Sequence, residues 1–232
     1  MSQSRPDLLL LPGLLNDADL WQAQLETLAE LADCHVGDLT AADSMHAAAV
    51  QVLDAAPPTF ALAGFSLGGY VAQEILRIAP QRVQRLALLD TSYRADSPAR
   101  AQQRRGQEAA VRKGAFHGFG DALMRAYLDP SHHGDTALVA RIRAMTQRLG
   151  AEVFLRQSAF ERVDGSEVLR AFDRPALVLC GEHDDITPPA LHEQMAALLP
   201  DATLLIVAQA GHLTPLEQPG PVNAALRDWL LA

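Results

Sequence analysis

The sequence predicts an α/β fold: a doubly wound, mainly parallel sheet of about six strands. Three observations predict it. Short apolar runs alternate with amphipathic helical patterns along most of the chain. Most of these runs are apolar on both faces, as strands of a parallel sheet covered by helices must be. One long interval, 93–172, carries helical patterns and no convincing strand.

The candidate strands are Asp7–Leu11, Ala32–Val36, Thr59–Ala63, Arg85–Leu89, Ala176–Cys180 and Thr203–Val207. Helical patterns fall at about Ala18–Leu31, Ser44–Ala55, Gly69–Ile78, Pro189–Leu199 and Pro221–Leu230. The last places Leu226, Trp229 and Leu230 at helical spacing, which predicts one apolar face against the sheet. Residues 1–92 and 173–232 therefore read as the core. Residues 93–172 read as a helical cap inserted in it, because a structureless loop that long is improbable in a compact domain. Turn signals at Gly114, Gly118-Phe119-Gly120, Asp129-Pro130, Gly150 and Gly165 divide the cap. Phe116, His117, Phe119, Met124, Tyr127, Met145, Phe154 and Phe160 are read as its own packing before any is read as a pocket wall.

A chain of 232 residues, 49% hydrophobic, suits one core with an inserted subdomain. The net charge of −9, from 28 acidic and 19 basic residues, argues against nucleic acid or an anionic membrane surface as partner. Cys34 and Cys180 lie in apolar runs and read as buried thiols, with no C-x-x-C spacing. Met1 to Asp7 enters a strand directly and lacks a signal-peptide layout, so a cytoplasmic location is expected. The run from Leu8 to Leu15 is broken by Pro12-Gly13 and is too short to span a bilayer. No heptad or obvious interface patch sets an oligomeric state.

Gly64-Phe65-Ser66-Leu67-Gly68 fits G-x-S-x-G between a strand and a helix. That context marks a nucleophilic serine on a sharp elbow, flanked by glycines because a Cβ at either place would crowd the adjacent strand or helix. A serine hydroxyl needs a base. His212 follows the strand Thr203–Val207 in the loop before the last helix, on the carboxyl edge where open α/β sheets bind ligands. The acid is expected in Gly181-Glu182-His183-Asp184-Asp185, where Asp184 or Asp185 can accept from the His212 ring. Asp90, closing the strand Arg85–Leu89, is a further rival, read rather as stabilising its turn with Thr91 and Ser92.

These pieces, with Pro12-Gly13-Leu14-Leu15, resemble the α/β-hydrolase superfamily over nearly the whole chain, in that family's order of nucleophile, acid and histidine. The resemblance implies Ser66, Asp184 and His212 as the catalytic triad, the acid being the third residue after Gly181. It implies backbone N–H groups of Leu14 and Leu67 as the oxyanion hole. Many relatives have His-Gly at Pro12-Gly13; the glycine keeps the backbone shape of the hole, and the missing histidine leaves open how the loop is held. Many also have two strands before the first one here, and the sheet is therefore expected to lack them.

Other candidates have plainer readings. His183 faces solvent, His132-His133 lies in a surface loop, and His46 and His192 lie on exposed helix faces. No metal-ligand set has sensible spacing, and no metal or organic cofactor is expected. Trp21 is read as a packing anchor. Arg156 and Arg162 read as a solvated face, but either one pointing inward would favour an anionic substrate. Serine at the elbow disfavours relatives that use aspartate there to break carbon–halogen bonds or epoxides. The expected reaction is hydrolysis of small-molecule carboxylic esters. The same triad serves enol-lactonases, C–C bond hydrolases and perhydrolases, and some proteins of this fold are ligand receptors.

Overall fold

The computed structural model describes residues 5–114 and 116–232. Residues 1–4, included in the leader reading, lie outside them. Six parallel strands form one sheet: β1 (Asp7–Leu11), β2 (Asp33–Val36), β3 (Phe60–Phe65), β4 (Val83–Leu89), β5 (Ala176–Gly181) and β6 (Ala202–Val207). Their spatial order is β2-β1-β3-β4-β5-β6. The chain steps from β1 outward to β2, then returns to the other side of β1 with β3. Ligands of open α/β sheets bind at such a reversal, beyond the carboxyl ends of the strands.

The helices of the core are α1 (Gln22–Leu28), α2 (Met45–Ala55) and α3 (Leu67–Ile78). Between β4 and β5 the described residues form four α-helices and no strand: α4 (Pro98–Arg112), α5 (Asp121–Tyr127), α6 (Thr136–Ser158) and α7 (Ser166–Arg170). Helix α6 is kinked at Gly150, where φ is 78°. After β5 come α8 (Pro189–Ala196), α9 (Thr214–Glu217) and α10 (Pro219–Leu231).

Side chains alternate across the sheet as the strand period demands. Leu8, Leu10, Ala61, Ala63, Phe65, Leu177 and Leu179 point into one core layer, with Leu226, Trp229 and Leu230 of α10 packed there. Leu9, Leu11, Leu62, Leu86, Leu88 and Val178 point into the other, under α2 and α3. Trp21 is an anchor in the first layer, its ring edge-on to Phe65 at 6.4 Å. Cap residues Phe119, Met124 and Met145 join this layer, while Phe160 is buried in the other.

Several boundaries differ from the sequence expectation. Strand β3 runs two residues further, through Gly64-Phe65, because β1 and β4 pair with it up to the turn. Helix α1 is shortened by a 3-10 turn, Ala18–Trp21, stabilised by the Asp17 side chain. Cys180 is buried, but Cys34 is only half-buried because β2 is an edge strand. Among the described residues no helix is long and apolar enough to cross a membrane.

Candidate active site

Parallel strands deliver all their carboxyl ends to one edge, and the candidate residues collect there. Strand β3 ends at Phe65 and α3 starts at Leu67, so Ser66 alone makes the turn, with φ 50° and ψ −113°. A left-handed φ is costly for a residue with a Cβ. The position is held from both sides. Its N–H donates to the Leu89 carbonyl at 2.9 Å, and its carbonyl accepts from the Thr91 hydroxyl at 2.7 Å. A Cβ on Gly64 would lie 2.5 Å from the Gly68 carbonyl oxygen, and one on Gly68 would lie 2.4 Å from that of Leu11. Both glycines are thus required by close approach.

The His212 Nε2 lies 3.0 Å from Ser66 Oγ, and its Nδ1 lies 2.9 Å and 3.0 Å from the two Asp184 oxygens. Both His212 and Asp184 are buried. Asp184 accepts further bonds from the Thr187 hydroxyl at 2.7 Å and the backbone N–H groups of Ile186 and Thr187 at 2.9 Å. Burial alone would raise its pKa. The His212 ring and the Thr187 bonds outweigh burial, and the carboxyl titrates below its ordinary value. The carboxylate therefore fixes the histidine as the Nδ1–H tautomer, with Nε2 facing the serine.

The structure separates the rival acids. Asp185 is exposed and has no bond to His212. Asp90 is buried, but it accepts from the Gly181 N–H at 3.1 Å and from the Thr214 hydroxyl. It thus ties the end of β4 to the end of β5 and the start of α9, more than its own turn. Burial and the nearby Asp184 charge push its pKa well up.

The His212 loop is braced by a residue that the sequence reading passed over. Glu217, at the end of α9, accepts from the N–H groups on either side of the histidine, Gly211 and Leu213, each at 3.0 Å. Its other oxygen accepts from the cap N–H of Asp129 at 2.7 Å. The His212 N–H itself donates to the Tyr127 carbonyl at 2.6 Å, and the Tyr127 ring stands edge-on to the imidazole at 5.0 Å. Gly211 is needed for this junction rather than for a turn, since its Cβ would meet the Tyr127 carbonyl oxygen at 2.6 Å.

The loop after β1 places Leu14 beside Ser66 and Leu67 in one cavity wall. Among the described residues, the N–H groups of Leu14 and Leu67 have no protein acceptor. Gln157 of α6 holds this loop. Its side-chain oxygen accepts from the Leu15 N–H at 2.9 Å, and its amide donates to the Leu39 carbonyl at 3.2 Å. Leu15 itself has φ 53°. The Met145 sulfur accepts from the Asp17 N–H at 3.4 Å. A cap glutamine thus does the bracing for which the loop sequence showed no group.

A family model described as alpha/beta hydrolase fold matches residues 6–219. The chain belongs to the α/β-hydrolase family. It is similar to a pimeloyl-[acyl-carrier protein] methyl ester esterase of Nitrosomonas europaea, 27% identical, over 92% of this chain and 91% of that one. Among solved structures, a thermophilic esterase from Thermogutta terrifontis with malate bound superposes with a TM-score of 0.88. The two are 30% identical, over 98% of this chain and 90% of that one. An enol-lactonase from Burkholderia xenovorans LB400 shares the fold at a TM-score of 0.85 and 20% identity, over 100% of this chain and 94% of that one.

In this α/β-hydrolase a cavity of about 440 Å³ opens over Ser66. Leu14, Leu67, Tyr70, Leu123, Tyr127 and Ile186 supply part of its wall. The other aromatic cap residues pack elsewhere: Phe116 lies against Phe154 at 6.1 Å, and His117 is exposed. Arg156 donates to the Thr40 carbonyl at 2.9 Å, whereas Arg162 lines the cavity. Among the described residues no cluster of three or more His, Cys, Asp or Glu has metal-binding geometry.

His192 is buried, contrary to the expectation of an exposed helix face. Its Nε2 accepts from the Thr91 N–H at 3.1 Å, and its Nδ1 lies 3.3 Å from the Pro188 carbonyl. Burial pushes its pKa down to about 4, so it serves as a neutral acceptor. It fixes Thr91, and Thr91 fixes the Ser66 carbonyl. His46 is exposed and pairs with Glu74. His183 is also largely exposed, but its Nδ1 reaches the buried Asp129 carboxylate of the cap at 2.5 Å.

Two outcomes follow from these braces. Gln157→Leu leaves the buried Leu15 N–H without an acceptor, at a cost of about 1–3 kcal/mol. Ester turnover by this variant should fall by about tenfold or more in kcat, with KM less affected, if the Leu14 N–H acts on the transition state. Thermal denaturation and steady-state kinetics on the same preparation measure both. For the His183–Asp129 pair, the Asp129 bond raises the His183 pKa above 6.5. Against the opposing effect of burial, hydrogen bonds from Ser131 and His183 hold the Asp129 pKa below 3.8. The histidine contribution is complete below about 6.5 and is lost as pH rises through its raised folded value. The carboxylate contribution is complete above about 3.8 and is lost as pH falls through its depressed one. The Tm difference between wild type and His183→Gln should therefore peak between those values and shrink on both sides.

Proposed function

We propose that this chain is a serine hydrolase of small-molecule carboxylic esters, working through an acyl-enzyme on Ser66. The observation that carries the reading is the unbroken line from Ser66 Oγ through the His212 ring to the buried Asp184. Family membership and the similarity to proteins named as esterases, one crystallised with malate, support it.

Ser66 Oγ attacks the ester carbonyl as His212 Nε2 takes its proton. The oxyanion is held by the N–H groups of Leu14 and Leu67, which are donors without competing acceptors. Asp184, ionised and fully hydrogen-bonded, stabilises the imidazolium that forms. His212 then protonates the departing alkoxide. Water enters, gives its proton to His212, and attacks the acyl-serine carbonyl. Collapse of this second tetrahedral intermediate returns the proton to Ser66 and releases the acid. Three buried carboxyl groups surround this machinery and have separate tasks. Asp184 faces the ring, Glu217 holds the backbone on either side of it, and Asp90 binds the strands beneath.

Steady-state turnover of aryl and alkyl esters of graded acyl length tests the reading. Ser66→Ala should lower kcat/KM by about five to six orders of magnitude. Asp184→Asn should lower it by about 10⁴-fold, whereas Asp185→Asn should leave it near wild type. Near-normal turnover in Ser66→Ala or Asp184→Asn would sink the assignment. Lactones and vinylogous diketones in the same panel separate ester from lactone and C–C chemistry, the preferred class being the one with the highest kcat/KM.

A further inference from the structure

The cavity over Ser66 is polar and charged on its cap side. Its cap wall carries three guanidinium groups: Arg100 and Arg104 from α4, and Arg162 from the segment after α6. Gln103 and Gln107 add two neutral polar side chains. The carboxylates in the same lining are Asp96 and Asp185. Three cations against two anions leave one net positive charge facing the space in which a substrate must sit.

The two carboxylates do not neutralise the three guanidiniums evenly. Arg104 is paired with Asp96. Among the described residues, Arg100 and Arg162 bond only to carbonyls. Arg100 donates to Ile186 at 3.0 Å, and Arg162 donates to Ser158 at 3.2 Å and to Phe160. A carbonyl fixes the direction of a guanidinium and leaves its charge uncompensated. Arg162 is also partly withdrawn from water, and burial pushes its pKa down to about 10, with Arg104 adding to the effect. It remains charged at neutral pH, and a counter-anion brought into the cavity would relieve the cost of holding it there. Ser158, which also lines the cavity, is buried, and its hydroxyl has no hydrogen-bond partner among the described residues. A buried unsatisfied hydroxyl beside an unpaired guanidinium is a site lacking its acceptor.

We propose that Arg162, Arg100 and Ser158 form a carboxylate-binding subsite, and that the preferred substrates are esters carrying a free carboxylate, such as half-esters of short dicarboxylic acids. The proposal rests on the hydrolase reading above for the ester and on the cap residues for the anion. A guanidinium fork matches a carboxylate in two parallel bonds, and the Ser158 hydroxyl supplies a third donor. A single net positive charge suits a monoanion better than a dianionic phosphoryl group.

Two measurements separate this proposal from the reading beneath it. The first is kcat/KM on monomethyl succinate against dimethyl succinate. Wild type should prefer the monoanion by about tenfold or more, mostly through KM, as expected for one charge-assisted contact. Arg162→Gln should lower kcat/KM on the monoanion by about tenfold more than on the neutral diester. Equal rates on both esters in wild type, or equal losses on both in the variant, overturn the subsite and leave the hydrolase reading intact. The second measurement does not depend on turnover. Calorimetric binding of succinamate to Ser66→Ala should be detectable and should be lost in Ser66→Ala/Arg162→Gln, with neutral succinamide not binding. Binding of succinamate unchanged by Arg162→Gln overturns the proposal, whatever the activity. Tighter binding of 3-phosphonopropanamide than of succinamate would also overturn it, in favour of a phosphoryl group.

Discussion

The left-handed turn at Ser66 is the constraint on which the site depends. A side chain at φ 50° is strained, at a cost of about 1–3 kcal/mol, and it persists only where the surroundings leave no alternative. Here Gly64 and Gly68 permit β1, β3 and α3 to approach so closely that the chain has one way through. The same closeness brings the loop after β1 alongside α3. Leu14 and Leu67 therefore meet beside one serine because of the packing that strains it. Thr91 and the neutral His192 behind it lock the carbonyl side of the turn.

Electrostatics then assigns different tasks to similar groups. Asp184 and Asp90 are both buried at strand ends, yet their pKa values are displaced in opposite directions. The difference lies in their partners. Asp184 meets an imidazole and three donors from its own loop, so it stays ionised and serves the histidine. Asp90 has one hydroxyl, one N–H and the charge of Asp184 nearby, which drives it towards its neutral form. Separation of pKa values between neighbouring carboxyl groups is how one site obtains both an ion-pair partner and a structural acid.

Much of the core was legible in the sequence because its signals are local. Strand runs, the glycine spacing at the elbow, and His212 after the last strand each occupy a few consecutive residues. The structure brings Ser66, His212 and Asp184 within hydrogen-bond reach of one another. Most of the features that escaped are contacts between distant segments. Gln157 lies 142 residues from the Leu15 N–H that it holds, and nothing in its neighbourhood marks it. Glu217 follows His212 closely, and its bonds to Gly211 and Leu213 were accessible in principle from a carboxylate opposite a tight loop. His192 looked exposed on a weakly patterned helix, and the Thr91 N–H that its ring accepts from lies 101 residues away. Arg156 and Arg162 fell on one pattern, but the helix ends at Ser158, which sends Arg162 into the cavity and leaves Arg156 on the Thr40 carbonyl.

The central claim is that the Ser66 hydroxyl becomes covalently acylated. Intact-mass spectrometry after treatment with a fluorophosphonate, followed by peptide mapping, tests it most directly. The account predicts one adduct per chain, located on Ser66, absent from Ser66→Ala and greatly slowed in His212→Ala. An unlabelled wild type under conditions that label a known serine hydrolase, or an adduct retained in Ser66→Ala, would contradict it.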